Sequence, residues 1–115
     1  MIKDNHIHAV GSIEQAVAQL KAKLGHTSKI EVECESLPQV QEALRAGADI
    51  IMLDNMTVDD LQRAVSAINK QAITEASGGI TLQTVMKVAQ TGVDYISTSE
   101  LTLSAPAFEA HLELK

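Results

Sequence analysis

Apolar positions along the chain switch between two periods. In "KIEVEC" (29–34) they alternate, with Ile30, Val32 and Cys34 on one side. Glu31 and Glu33 fall on the other side and Glu35 continues the acidic face, the period of two that marks a strand. In "SIEQAVAQLKAKLG" (12–25) they recur at helical spacing, through Ile13, Val17, Leu20 and Leu24. Ser12 with Gln15 three residues on is a capping-box start, and Gly25 is placed to end that helix. The alternation of strand and helix continues. "LPQVQEALRAG" predicts a helix with Pro38 in its first turn and Gly47 at its end. "DIIMLDN" predicts a strand buried on both faces, and Thr57 with Asp60 opens the next helix, through Leu61, Val65 and Ile68. "AITEAS" predicts a strand, Gly78 and Gly79 a turn, "TLQTVMKVAQTG" a helix and "VDYISTSE" a final strand. The opening "IKDNHIHAV" reads as a short extended stretch, and the tail from Leu101 has no clear period.

An internal repeat supports this order. "LPQVQEALRAGADII" and "LQTVMKVAQTGVDYI" match at Leu37/Leu82, Val40/Val85, Gly47/Gly92 and Asp49/Asp94, an offset of 45 residues. Repeated βα units at that spacing give a parallel sheet with right-handed crossovers. The expected fold is α/β, part of a TIM-like βα barrel rather than an open doubly wound sheet. Polar residues recur at the C-terminal end of each strand, which is where barrel sites lie. Residues 1–104 would form the barrel part and 105–115 a tail.

Composition narrows the partners. Hydrophobic residues make up 45% and aromatic ones 2% of 115 residues, so the core is built from aliphatic side chains, with Met52 and Met86 among them. The net charge of −6, without a basic run, argues against nucleic acid. No apolar stretch is long enough to cross a membrane, and the start lacks the apolar segment of a signal peptide. Cys34, the single cysteine, shares the apolar face of its strand and reads as a core thiol. A cytoplasmic protein is expected.

The strand ends carry the candidate chemistry: Lys3, Asp4, Asn5 and His6; Glu33 and Glu35; Asp54 and Asn55; Glu75, Ser77, Gly78 and Gly79; Ser97 and Ser99. Carboxylates from neighbouring strands suit a divalent cation together with a polyol or phosphate, since hard cations take oxygen ligands. "SGGIT" running into a helix is a phosphate cradle, its free amides and the helix dipole both favouring an anion. Together they suggest a sugar phosphate. His6 and His8 lack a third metal ligand.

Five ordered motifs, "IKDNHI", "EVEC", "IMLDNM", "EASGGIT" and "GVDYIS…LTLSAP", resemble the quinolinate phosphoribosyltransferase family over nearly the whole chain. The resemblance implies transfer of phosphoribosyl from phosphoribosyl pyrophosphate to quinolinate with Mg²⁺, giving nicotinate mononucleotide, pyrophosphate and CO₂ for NAD synthesis. It implies that Lys3 faces the anionic substrates and that Glu33 and Asp54 hold the ribose hydroxyls and the metal. It places the 5′-phosphate on Ser77, Gly78 and Gly79, with Ser99 adjoining. The chain departs from the family pattern at Ser99, where a glycine is usual, and at Leu103, where a histidine is usual.

The resemblance also implies that an N-terminal domain and the first barrel strands precede this part, carrying the arginines that bind quinolinate. The charge balance agrees. Arg45 and Arg63 fall within predicted helices, which leaves Lys3 as the well-placed cation for a polyanionic substrate pair. A catalytically incomplete barrel part, or a same-fold transferase with another acceptor, is the alternative. Open sheet edges invite pairing, so a homo-oligomer is expected.

Overall fold

The computed structural model describes residues 1–114. Helices α1 (Asp4–Val10) and α2 (Ile13–Lys21) precede strand β1 (Glu31–Cys34). Three βα units follow: α3 (Leu37–Ala46) and β2 (Ile50–Asp54), α4 (Val58–Ile68) and β3 (Ile73–Ser77), α5 (Val85–Ala89) and β4 (Tyr95–Ile96). A short helix, α6 (Glu100–Leu103), comes last, and residues 104–114 carry no helix or strand. The end of the expected tail, position 115, lies outside the described residues.

The sheet is parallel, in the order β1-β2-β3-β4. Sequential order without reversal is the topology of a barrel wall, since a doubly wound sheet reverses its strand order. Period-two alternation then divides the two faces. Val32, Cys34, Ile51, Leu53 and Ala76 are completely buried beneath the helices, together with Val40, Ala43, Ala64 and Ile68 from α3 and α4. Glu31, Glu33, Asp54, Glu75 and Ser77 occupy the other face and are half-buried. Met52, between them in register with Glu33 and Glu75, is buried, so β2 is covered on both sides as its apolar run predicts.

Helix starts and stops follow local chemistry. The Ser12 hydroxyl accepts from the Gln15 amide at 3.1 Å, and the Thr57 hydroxyl accepts from the Asp60 amide at 3.2 Å. Gly47 ends α3 at φ +73°, a left-handed conformation that glycine adopts without steric cost. The Lys21 ammonium of α2 reaches across to donate to the Ala46 carbonyl at 2.9 Å.

Four expectations are corrected. Residues 4–10 are helical, not extended: the Lys3 amide donates to His6 Nδ1 at 3.0 Å, and Gly11 at φ +102° stops the helix. Before it, Ile2 alone continues the sheet, bridged in parallel to Val32. Helix α2 stops four residues before Gly25, and Leu24 is 40% exposed instead of completing the apolar stripe. Helix α5 is only five residues long, and Met86, expected in the core, is 67% exposed. The Thr84 hydroxyl accepts from the Thr81 amide at 2.9 Å and the Val85 amide donates to the Thr81 carbonyl at 2.9 Å, so a turn precedes the helix, but Leu82 beside it is 83% exposed. Strand β4, at the edge of the sheet, is only two residues long, although the Ser97 amide still donates to the Ala76 carbonyl at 2.9 Å.

Candidate functional site

Because all strands run the same way, their C-terminal ends lie along one rim of the sheet. The register sets Glu33 beside Met52 and Asp54 beside Ser77, so the polar ends of β1, β2 and β3 adjoin. The N-terminal segment brings in Lys3, whose Nζ lies 2.6 Å from Glu33 Oε2. Its pKa is raised by the hydrogen bond and charge of Glu33, with Asp54 adding to it. Glu33 is the more enclosed partner, with 14% of its side chain exposed against 51% for Lys3. Carboxylate oxygens of Glu33, Glu35 and Asp54 all lie within 4.8 Å of one another. Glu35 therefore joins the cluster from the strand's exposed end, a member that alternation alone marked as acidic but did not place.

Deeper on the same face, Glu31 and Glu75 approach each other across β2. Burial first, and then Glu75, push the Glu31 carboxyl above the usual carboxylate range. Its Oε1 is buried and has no hydrogen-bond partner among the described residues. Glu75 in turn accepts a hydrogen bond from the Ser97 hydroxyl, tying β3 to the loop after β4.

That loop and the glycine turn enclose a pocket of about 390 Å³, lined by Ser77, Gly78, Gly79, Ser97, Thr98, Ser99 and Thr102. Gly78 and Gly79 are left-handed at φ +90° and +61°. The pocket is not completed by a helix start, contrary to the expectation for "SGGIT": α5 begins only at Val85. Hydroxyls line it instead, and the Thr98 hydroxyl donates to the Ile80 carbonyl at 2.5 Å, pinning one wall to the other. Thr98 and Thr102 carried no sequence signal, because a threonine in a loop looks like any other turn residue.

The remaining candidates fall elsewhere. His6 caps α1 through Nδ1, and the His8 ring bonds the Asp4 carbonyl at 2.9 Å, so both serve the helix. Leu103 is 83% exposed and does not line the pocket. Arg45 lies in the last turn of α3, and Arg63 on α4 pairs with Asp60 at 3.5 Å.

Known proteins share this arrangement. The profile of the family described as "Quinolinate phosphoribosyl transferase, C-terminal domain" matches residues 1–113. The chain is 40% identical over 117 residues to the nicotinate-nucleotide pyrophosphorylase [carboxylating] of Rattus norvegicus. It is 43% identical over 114 residues to a probable enzyme of that name from Bacillus subtilis. Each alignment takes in 99% of this chain but 39% of the relative, so the chain spans about two-fifths of the length of these relatives. The crystal structure of nicotinate-nucleotide pyrophosphorylase from Ehrlichia chaffeensis superposes with a TM-score of 0.85 at 41% identity, covering 90% of this chain and 37% of that one. A thiamine phosphate pyrophosphorylase from Pyrococcus furiosus is more distant, with a TM-score of 0.61 and 26% identity over 75% of this chain and 43% of that one. The parallel sheet is thus part of a barrel wall, and the chain belongs to the quinolinate phosphoribosyltransferase family through its C-terminal domain.

Proposed function

We propose that this chain carries the phosphoribosyl-donor side of a quinolinate phosphoribosyltransferase. The reaction joins quinolinate to phosphoribosyl pyrophosphate and yields nicotinate mononucleotide, pyrophosphate and CO₂ in NAD synthesis. The observation that carries this reading is one rim holding a carboxylate cluster (Glu33, Asp54) beside a hydroxyl-lined glycine pocket (Ser77, Gly78, Gly79). A sugar phosphate needs both: acids for its hydroxyls, and small donors for its phosphate.

Each residue then has a task. Glu33 and Asp54 accept from the ribose hydroxyls and oppose the positive charge that builds on the ribose ring as its bond to pyrophosphate breaks. Lys3, kept protonated by Glu33, offers a cation to the anionic substrates. Gly78 and Gly79 let the backbone approach the phosphate, and Ser77 and Ser99 add hydroxyls. Glu33, Glu35 and Asp54 have the hard oxygen donors and the spacing to hold Mg²⁺, which when bound would neutralise the leaving pyrophosphate.

Two observations favour a second reading for the isolated chain. Lys3 is the single Lys or Arg in contact with the carboxylate cluster among the described residues, whereas the substrates are polyanions. Large apolar side chains are also bare, Tyr95 at 61%, Leu82 at 83% and Phe108 at 93%, and β4 has an open edge. On this reading the chain is catalytically incomplete by itself and self-associates in the cytoplasm through that edge.

Turnover of quinolinate and phosphoribosyl pyrophosphate with Mg²⁺, followed as nicotinate mononucleotide, separates the two. A rate well above that of Glu33→Ala supports an assembled transferase. Donor binding without turnover supports the incomplete unit, and neither binding nor turnover refutes the donor-site assignment.

A further inference from the structure

Asn55 follows Asp54 at the end of β2, and its backbone is left-handed at φ +52°. Outside glycine that conformation is uncommon, and asparagine tolerates it because its short amide bonds locally. Three contacts hold it. Asn55 Nδ2 donates to Asp54 Oδ2 at 2.6 Å. The Asn55 amide donates to the Ser77 carbonyl at 2.9 Å. Its side chain also lies directly against Gly78, where an added Cβ would stand 2.6 Å from Asn55 Cγ and 2.8 Å from its backbone nitrogen. A side chain at 78 is excluded by space as well as by its φ of +90°. One residue therefore grips the carboxylate at one end of the rim and shapes the turn that lines the pocket at the other.

We infer that Asn55 is a positioning residue: it sets the Asp54 carboxylate against the Gly78 turn, so that the ribose end and the phosphate end of one ligand site keep a constant separation. The inference rests on the donor-site reading above for its ligand, but not for its geometry. By donating to Oδ2, the Asn55 amide restrains the Asp54 carboxylate and leaves Oδ1 free of that bond. A residue that only ended the strand would need the backbone contact to Ser77 and neither of the others.

Two measurements on the full chain test it. In the ligand-free protein, Asp54→Ala should shift the ¹⁵N resonances of the Asn55 side-chain amide and the Gly78 backbone amide together. In an Asn55→Gly background, which keeps φ accessible, the same substitution should leave Gly78 unmoved. If Gly78 does not respond to Asp54→Ala, or responds equally without the Asn55 side chain, the inference is wrong whatever the donor does. The second measurement is calorimetric titration with phosphoribosyl pyrophosphate and Mg²⁺. Asn55→Asp preserves the shape but not the donated hydrogen bond, and it and Asn55→Gly should each weaken binding by about tenfold or more. Wild-type affinity in Asn55→Asp overturns the inference. Absence of binding to the wild-type chain refutes the donor-site reading instead, and the resonance coupling still decides the role of Asn55.

Discussion

The Asp94 carboxylate accepts twice from Thr74, from its amide at 2.8 Å and its hydroxyl at 2.7 Å, and the Asp94 amide donates back to that hydroxyl at 3.0 Å. Asp49, its counterpart in the 45-residue repeat, accepts from the Ile30 amide at 2.7 Å. Each aspartate stands just before a strand and holds the start of the preceding strand, which pins the register between neighbours. The repeated Asp is therefore a device of the sheet's opposite end, remote from the rim.

The Thr74 amide and hydroxyl hold the Asp94 carboxyl below its ordinary pKa. A depressed folded-state pKa stabilises at pH above the unfolded value, and that contribution is lost as pH falls through the folded one. Asp94→Ala should cost about 1 kcal/mol near neutrality, discounted for the exposure of the carboxylate. The cost should vanish in strong acid. Urea denaturation of wild type and variant across the acid range reads this directly, and a cost independent of pH would contradict it.

Glu31 has the opposite sign. Its raised pKa means that ionisation works against the fold above the folded-state value, with the penalty relieved as pH falls. Glu31→Gln should stabilise the fold near neutrality by a few tenths of a kcal/mol, discounted for the carboxyl's partial exposure, read as a raised melting temperature. The gain should disappear on acidification, and a destabilised variant at neutral pH would show that Glu31 has a partner after all.

Lys3 and Glu33 form an ion pair with one well-exposed member, and such pairs contribute little to stability because solvent screens them. The charge of Lys3 should matter far more to a polyanionic ligand. Lys3→Ala is expected to leave the melting temperature nearly unchanged while weakening phosphoribosyl pyrophosphate binding by about tenfold. Equal binding with a lowered melting temperature would make Lys3 a structural residue.

Cys34 is completely buried, and burial pushes its thiol up to about 12. Thiol reagents at mildly alkaline pH should leave it unmodified in the native chain and modify it fully in denaturant. Rapid labelling of the native protein would show that the covering helices open easily.

The βα order, the inward face of each strand and the caps at Ser12, Thr57 and Gly47 were legible in the amino-acid order, because each depends on neighbours a few positions away. That Glu33, Asp54 and the Ser77–Gly79 turn share one rim was legible too, because the sheet is parallel and equivalent strand ends adjoin. What local pattern misjudged lay at the margins. The helix at 4–10 depends on a histidine cap and a glycine stop, and α5 frays because Leu82 and Met86 have nothing to cover them.

By itself, then, the sequence determined the architecture and the inventory of reactive groups, since hydrophobic periodicity and turn chemistry act over short range. Only the tertiary structure decided which of those groups touch. The Lys3–Glu33 pair, the proximity of Glu35 to Asp54, the hydroxyl wall around Thr98 and the grip of Asn55 on Gly78 all join residues from different elements. Strand register and loop course set those distances, and no spacing along the chain encodes them.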